Sequence, residues 1–134
     1  MSFQLDIVTP EKTIFSDQVD NVYLPGSEGE MGILEMHSAL VAPISPGELR
    51  YLKDGQIEAL AVGEGFAEVT QEKATVLIDL AIGDAEIDEA QVEEAMKRAQ
   101  DALDGVGDDA EEQAALQAVI AKSEAMLRLK RKGH

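Results

Sequence analysis

The sequence predicts an α+β fold, with an antiparallel β-sandwich over residues 1–84 and an antiparallel helical hairpin over residues 85–134. The prediction depends on one change in hydrophobic periodicity near Gly83. Before this point, short apolar runs alternate with polar residues and are broken by Gly, Pro and Asp. After it there is no Pro, and apolar residues recur every three or four positions. A period near two is typical of half-buried strands, and a period near 3.6 of amphipathic helices.

The N-terminal part contains many short strand patterns that are separated by turn residues. Lys53-Asp54-Gly55 is a strong signal for a tight hairpin. Residues 27–32 are rich in glycine and acidic side chains and are predicted to form a loop. Short strands at this spacing favour an antiparallel sandwich or barrel. The predicted strands lie at residues 3–8, 13–15, 19–24, 33–34, 39–42, 48–52, 57–62, 66–69 and 74–80.

The C-terminal part contains two helix patterns with clear start and stop signals. Asp88 with Gln91, and Asp109 with Glu112, have the spacing of capping boxes. Gly105 and Gly107 end the first helix. The apolar residues of each helix form a thin stripe, which on the second helix consists of Leu116, Val119, Ile120, Met126 and Leu127. Such a hairpin needs the sandwich or a partner for its stability. Because its link to the sandwich is short and polar, we expect that the hairpin can dock or detach.

Composition and charge exclude several classes of protein. The 134 residues include no cysteine, which excludes disulfides and thiolate metal sites. The net charge of −16 argues against binding to nucleic acid. No secretory signal or membrane-spanning run is visible. The last thirteen residues are basic, which suits either an acidic partner or the negative end of the helix dipole.

No catalytic or metal-binding constellation is recognisable. The two histidines, His37 and His134, are far apart in the sequence, and the carboxylates have no ligand spacing. Gly63-x-Gly65 is not followed by a helix, so it does not fit a phosphate loop; these glycines instead indicate a bulge or a close backbone approach. The sequence therefore indicates a non-catalytic interaction protein, and we expect no cofactor.

The segment from Leu24 to Leu34, continuing through His37 to Leu49, resembles the signature of the epsilon subunit of F-type ATP synthases. The blocks at residues 65–69 and 74–79 also resemble that family, and the helical hairpin falls where the family has one. The resemblance implies a subunit of the rotary central stalk of a proton-translocating ATP synthase. It also implies a peripheral position at the cytoplasmic face of a bacterial inner membrane, with membrane contact only through the complex.

The resemblance further implies three partners: the gamma subunit, the membrane c-ring, and the alpha/beta catalytic head. The head is reached when the hairpin extends, and this extension is expected to restrain ATP hydrolysis. By residue-level similarity, the c-ring-facing residues, called here the acidic loop, are Ser27, Glu28, Gly29, Glu30 and Met31, with His37 nearby. The basic tail that would meet the head consists of Arg128, Lys130, Arg131 and Lys132.

Two departures from the family pattern bear on function. Glu35-Met36 stands where many members have Pro-Gly, which adds a negative charge near the expected ring contact. ATP-sensing members carry Ile/Leu-Asp-x-x-Arg-Ala at the start of the first helix. This chain keeps Ile87 and Asp88 but has Gln91 and Val92 in place of Arg and Ala. Without that cation, we expect weak or absent ATP binding.

Other readings of the sequence stay open at this stage. The main alternative is a stand-alone acidic regulator whose helices mask a basic partner. A small nucleotide sensor is disfavoured by Gln91, and an enzyme by the lack of an acid, base and nucleophile set. The block from Pro25 to Gly32 favours the rotor subunit, because a simple mask would not need that loop on a rigid sandwich.

Overall fold

A computed structural model describes residues 2–27, 29–34 and 39–132. These residues form ten strands, a short 3₁₀ helix and two α-helices. The strands are β1 (Phe3–Val8), β2 (Thr13–Val19), β3 (Asn21–Gly26), β4 (Gly29–Leu34), β5 (Leu40–Ile44), β6 (Gly47–Lys53), β7 (Gln56–Val62), β8 (Gly65–Val69), β9 (Lys73–Ile78) and β10 (Ala81–Gly83). The 3₁₀ helix covers Asp84–Glu86, and the α-helices are α1 (Glu89–Asp104) and α2 (Ala110–Lys132).

The strands form one continuous ladder in the order β10-β7-β6-β3-β5-β8-β9-β1-β2, with β4 paired to β3. The ladder folds over on itself, so that Phe15 of β2 meets Tyr51 of β6 with ring centroids 4.4 Å apart. This packing produces the predicted sandwich. One pairing differs from the expected antiparallel pattern, since β1 runs parallel to β9. The sequence could not predict this pairing, because strand alternation does not identify a distant partner.

Alternation of apolar residues along the strands fills the space between the two layers. In β1, Phe3, Leu5 and Ile7 are buried while the residues between them are half-buried. The largest fully buried side chains of this core are Leu5, Ile7, Leu24, Ile33, Leu49, Val19, Val22, Val62 and Val76. Burial of side chains of this size is the main stabilising contribution to such a domain.

Two local predictions about the strands were wrong. The predicted loop over residues 27–32 is mostly strand: Gly29–Leu34 forms β4, which pairs with β3 in a hairpin. Glycine fits here because a Cβ on Gly26 would lie 2.8 Å from the carbonyl oxygen of Gly29, and Gly29 has a φ of 126°. The strand predicted at residues 13–15 extends to Val19, because the polar residues that follow Phe15 lie on an exposed edge strand.

The predicted hairpin at Asp54-Gly55 is confirmed. These residues have φ angles of 53° and 77°. Both values are positive, as a type I′ turn requires, and β6 and β7 pair on either side of it. The Asp–Gly dipeptide therefore fixes the register of two strands on which the C-terminal helices later pack.

The helix caps follow the sequence prediction. The Asp88 carboxylate accepts a hydrogen bond from the Gln91 backbone N–H at 3.2 Å, and Asp109 does the same for Glu112 at 3.1 Å. Gly107, with a φ of 69°, lies in the short connection that turns the chain back. The two helices pack against each other, and α2 also packs on β6 and β7. The structure thus has the predicted hairpin in a docked position.

Candidate docking surfaces

The acidic loop is the tip of the β3–β4 hairpin. Pro25 pairs with Glu30 and Gly26 with Gly29, so the segment rests on a rigid strand pair. The side chain of Glu30 is 52% exposed and forms an ion pair with Arg50 of β6. The Arg50 guanidinium also lies over the Tyr23 ring, 5.0 Å from its centroid. The sheet thus holds one acidic side chain of the loop in place at the surface.

The structure describes only some of the remaining residues of the acidic loop. Ser27 is exposed, and Met31 is partly buried against the sandwich core. Glu28 and His37, together with Glu35 and Met36, lie outside the described residues. Ser27, Glu30 and Met31 border a shallow depression that continues to Val41 and Pro43 of β5. The acidic loop is therefore continuous with a second surface on the neighbouring strands.

This second surface is an exposed row of apolar side chains across four strands, called here the apolar face. It consists of Pro43, Phe66, Leu77 and the half-buried Val8, with Val41 beside it. Pro43 pairs with Phe66, Phe66 with Leu77, and Leu77 with Val8, so the four lie side by side. Val41, Phe66 and Leu77 are 69%, 57% and 51% exposed. Contiguous exposed apolar residues of this kind are typical of protein–protein contact sites.

A polar row borders the apolar face. Val41 pairs with Glu68, Glu68 with Thr75, and Thr75 with Asp6. An apolar strip with an acidic edge fits a partner that presents an apolar patch with a basic edge. Sequence reasoning missed this surface, although a signal was present: Phe66 occupies the polar phase of its strand, alongside Glu68.

The hairpin docks on the sandwich through a small apolar cluster. Its buried members are Ala61, Ile87, Ala125 and Leu129. Two of the four are alanines, so the apolar area that they remove from water is limited. The predicted stripe on α2 accounts for part of the burial, since Leu127 is 3% exposed, but Val119 is 40% exposed. Ala125 and Leu129, which make the contact with the sandwich, were not identified from the sequence.

The basic tail is engaged within the chain. Lys132 Nζ lies 3.1 Å from a carboxylate oxygen of Glu48, and Lys130 Nζ donates to the backbone carbonyl of Asp84 at 3.2 Å. Arg131 pairs with Glu89 at 2.7 Å and also with Glu93. These carboxylates, Glu89 first, raise the pKa of Arg131. Arg128 is exposed beside α1, and no ion pair to it is present among the described residues.

The four residues at the positions of the ATP-sensing pattern have structural contacts in the docked hairpin; they are Ile87, Asp88, Gln91 and Val92. Ile87 is buried in the contact with the sandwich, and Val92 packs against the same cluster. The Asp88 carboxylate serves as the cap of α1 through the Gln91 N–H. Within the described part of the chain, no group of His, Asp and Glu has the arrangement of a metal site. No helix among these residues is long and apolar enough to cross a membrane.

A β-sandwich with an exposed apolar face, an acidic loop and a docked helical hairpin is typical of a subunit of a larger assembly. Comparison with known proteins identifies the assembly. Residues 2–84 match the family described as ATP synthase, Delta/Epsilon chain, beta-sandwich domain. Proteins named ATP synthase epsilon chain from Alkaliphilus oremlandii and Herpetosiphon aurantiacus are 39% and 42% identical to this chain. These alignments cover 76% and 77% of this chain and 76% of each relative.

The chain therefore belongs to the ATP synthase delta/epsilon chain family, and it is a non-catalytic subunit of a multisubunit enzyme. Two solved structures have the same fold. A chain of the Euglena gracilis mitochondrial ATP synthase (OSCP/F1/c-ring) has a TM-score of 0.80 at 21% identity, covering 99% of this chain and 82% of that one. A chain of the Tetrahymena thermophila mitochondrial ATP synthase (central stalk/c-ring) has a TM-score of 0.65 at 12% identity, covering 99% and 96%. The family predicted from the sequence is thus confirmed.

Proposed function

We propose that this chain is the epsilon subunit of the rotary central stalk of a proton-translocating F-type ATP synthase. In this role it couples rotation of the c-ring to ATP synthesis and performs no chemistry of its own. The observation that carries the proposal is the apolar face, because a row of exposed apolar side chains beside an acidic loop fits the surface of a protein partner. The curated relatives and the fold support the same assignment.

The gamma subunit is the partner that we assign to the apolar face. Phe66 and Leu77 are large exposed apolar side chains of this face, and their backbones are held in the middle of the β5-β8-β9-β1 sheet. A rigid apolar surface suits a permanent contact that must transmit torque, since little conformational entropy is lost on binding. Glu68 would give this contact its orientation, since Asp6 on the same edge is already paired with Lys73.

The c-ring is the partner that we assign to the acidic loop. Glu30 is the side chain with the clearest support, because it pairs with Arg50, which itself lies over the Tyr23 ring. Ser27, Gly29 and Met31 complete the described part of this contact. Such an arrangement keeps the chain at the membrane surface through the complex, which on our proposal is the cytoplasmic face of a bacterial inner membrane.

We further propose that residues 1–84 and 85–134 act as two domains. The hairpin contacts the sandwich through α2. This contact consists of a small apolar cluster and a few ion pairs, which can be broken one at a time. On extension, Lys130 and Lys132 would lose their partners Asp84 and Glu48. Together with Arg131 and the already exposed Arg128, they would then meet acidic surfaces of the catalytic head. This movement would restrain ATP hydrolysis. The conversion needs only a partner that binds the extended form more tightly.

Tagged co-purification from gently solubilised membranes tests the assignment to the stalk. We expect recovery of gamma, the catalytic-head subunits and the c-ring, identified by mass spectrometry. A chain that stays free of all of these would contradict the proposal and favour an acidic regulator of another protein. A tagged Phe66→Ser chain tests the apolar face in the same experiment, because its loss of gamma would assign the contact to that face.

ATP hydrolysis by the reconstituted catalytic head tests the inhibitory role separately. The full chain is compared with a chain that stops at Asp84, after circular dichroism has established that the shorter chain is folded. We expect faster hydrolysis with the shorter chain. Equal rates would exclude inhibition by the hairpin and would leave the coupling role intact.

A further inference from the structure

The turn at Gly63-Glu64 brings three parts of the chain to one carboxylate. Asp79 Oδ1 accepts a hydrogen bond from the Glu64 backbone N–H at 3.0 Å. The other oxygen, Asp79 Oδ2, lies 2.6 Å from the Nζ of Lys122 on α2. Two backbone hydrogen bonds support the turn, from Gly63 N–H to the Leu80 carbonyl and from Asp79 N–H to the Glu64 carbonyl, both 3.0 Å long. Asp79 therefore connects the β7–β8 turn directly to the hairpin.

Gly63 is what allows this approach. A Cβ at residue 63 would lie 2.0 Å from Asp79 Oδ1 and 3.0 Å from Lys122 Cε. The first distance is far below any real contact, so an alanine here would displace the carboxylate and the lysine together. Gly63 is also buried, and its φ lies outside the left-handed region. The glycine is needed for space and not for a special backbone conformation.

This contact matters because the rest of the docking interface is weak. Its buried apolar members are few and include Ala61 and Ala125, and its other links to the sandwich side are the pairs of Lys130 with Asp84 and of Lys132 with Glu48. Those two pairs lie at the last turn of α2, beside Leu129. The pair of Lys122 with Asp79 lies about two turns earlier along the helix. Among the described ion pairs, this one holds the middle of α2 on the sandwich. The Lys122 side chain is 23% exposed.

We infer that Gly63, Asp79 and Lys122 form a latch that sets the fraction of chains in which the hairpin is docked. The carboxylate is oriented in advance by the Glu64 N–H, so the hairpin gains the ion pair without ordering a flexible acceptor. When α2 leaves, Asp79 stays in place and remains ready for its return. This inference concerns docking within the isolated chain; it goes beyond the proposed function and does not depend on it.

Cysteine alkylation measures the undocked fraction, because the natural chain has no cysteine. Ala61, which is 0% exposed, lies beneath α2, so the thiol of an Ala61→Cys chain reacts with iodoacetamide only after the hairpin leaves. Ala67, also 0% exposed, lies in the main core, and an Ala67→Cys chain reports unfolding of the sandwich itself. The ratio of the two rates separates undocking from global unfolding.

The test places Lys122→Met, Asp79→Asn and both together in the two cysteine backgrounds. We expect each single change to raise alkylation at residue 61 about two- to fivefold, the range of one partly exposed ion pair, with no change at residue 67. The double variant should react no faster than the faster single variant, because both remove the same contact. Arg98→Met, which breaks the exposed Arg98–Glu94 pair on α1, is the matched control and should change neither rate.

Two results would overturn the latch. The first is an unchanged rate at residue 61 in the Lys122→Met chain, and the second is an increase that is equal at both cysteines. Gly63→Ala provides an independent arm, since it removes no hydrogen-bonding group. We expect it to accelerate alkylation at residue 61 as strongly as Asp79→Asn; no acceleration would show that the glycine is not part of the latch.

Discussion

Asp6 of β1 and Lys73 of β9 form an ion pair across the parallel strands, with Asp6 Oδ2 2.8 Å from Lys73 Nζ. Gln4 and Ser16 donate hydrogen bonds of 2.8 and 2.7 Å to the other oxygen of the same carboxylate. The hydrogen bond from Lys73, followed by those from Gln4 and Ser16, lowers the pKa of Asp6 from 3.8 to about 2. An electrostatic interaction therefore contributes to the pairing of β1 with β9.

The low pKa of Asp6 predicts a loss of stability in acid. The folded state holds this proton less tightly than the unfolded state, so the contribution is complete above pH 4 and disappears as the pH falls towards 2. Asp6→Asn should lower the free energy of unfolding by about 1–2 kcal/mol at neutral pH and flatten its decline in acid. Urea denaturation at several pH values measures both. Asp101→Asn on exposed α1 is the control, and an equally steep decline in the Asp6→Asn chain would contradict the prediction.

A change at the tip of the β3–β4 hairpin should weaken the proposed contact with the c-ring. Glu30→Gln removes the charge, and Arg50→Met leaves the charge but frees its side chain to move. We expect both to reduce c-ring recovery in co-purification about two- to fivefold, as for one partly exposed charge. Glu72→Gln is the matched control, because Glu72 lies in the turn beyond Val69, at the other end of β8 from Gly65. Equal recovery from all three chains would exclude a role for Glu30.

A change on the apolar face should remove the proposed contact with gamma without unfolding the chain. Phe66→Ser alters a side chain that is already 57% exposed, so its effect on stability should stay within about 0.5 kcal/mol. Loss of a large aromatic anchor should reduce gamma recovery roughly tenfold or more. Val119→Ser, at an exposed apolar position on α2, is the control. If both chains recover gamma equally, the apolar face serves another partner.

Titration with ATP should give no binding in the micromolar range. Gln91 supplies no cation at the start of α1, and Arg131 is already paired with Glu89 and Glu93. A triphosphate would have to displace these carboxylates and would gain little in return. Isothermal titration calorimetry of the full chain provides the measurement. A micromolar affinity would contradict the prediction and revive the idea of a nucleotide sensor.

Local signals in the sequence were sufficient for the helices and several strands. Asp88 and Asp109 cap their helices through residues three positions away, and Asp54-Gly55 forms its turn from adjacent residues. The acidic loop was identified through its resemblance to a family, but its conformation was predicted wrongly. Its glycines suggested an open loop, whereas they permit a tight turn between paired strands.

The remaining features depend on partners far along the chain. Lys73 lies far from Asp6 in the sequence, and Lys122 lies far from Asp79. The residues between them do not indicate that these side chains are in contact. The row formed by Pro43, Phe66, Leu77 and Val8 arises only when four strands take a particular register. Each of its residues is unremarkable alone, although Phe66 lies out of phase with its neighbours. Such surfaces become visible only once the sheet order is known.

The parallel pairing of β1 with β9 also has a consequence for biosynthesis. β1 leaves the ribosome before its inner neighbour β9, so this part of the sheet cannot form until residues 73–78 have been made. Contacts of this long sequence separation slow folding. Until then, the apolar residues of β1 need protection from other chains, and a nascent protein released before Lys73 would be a substrate for chaperones or proteases.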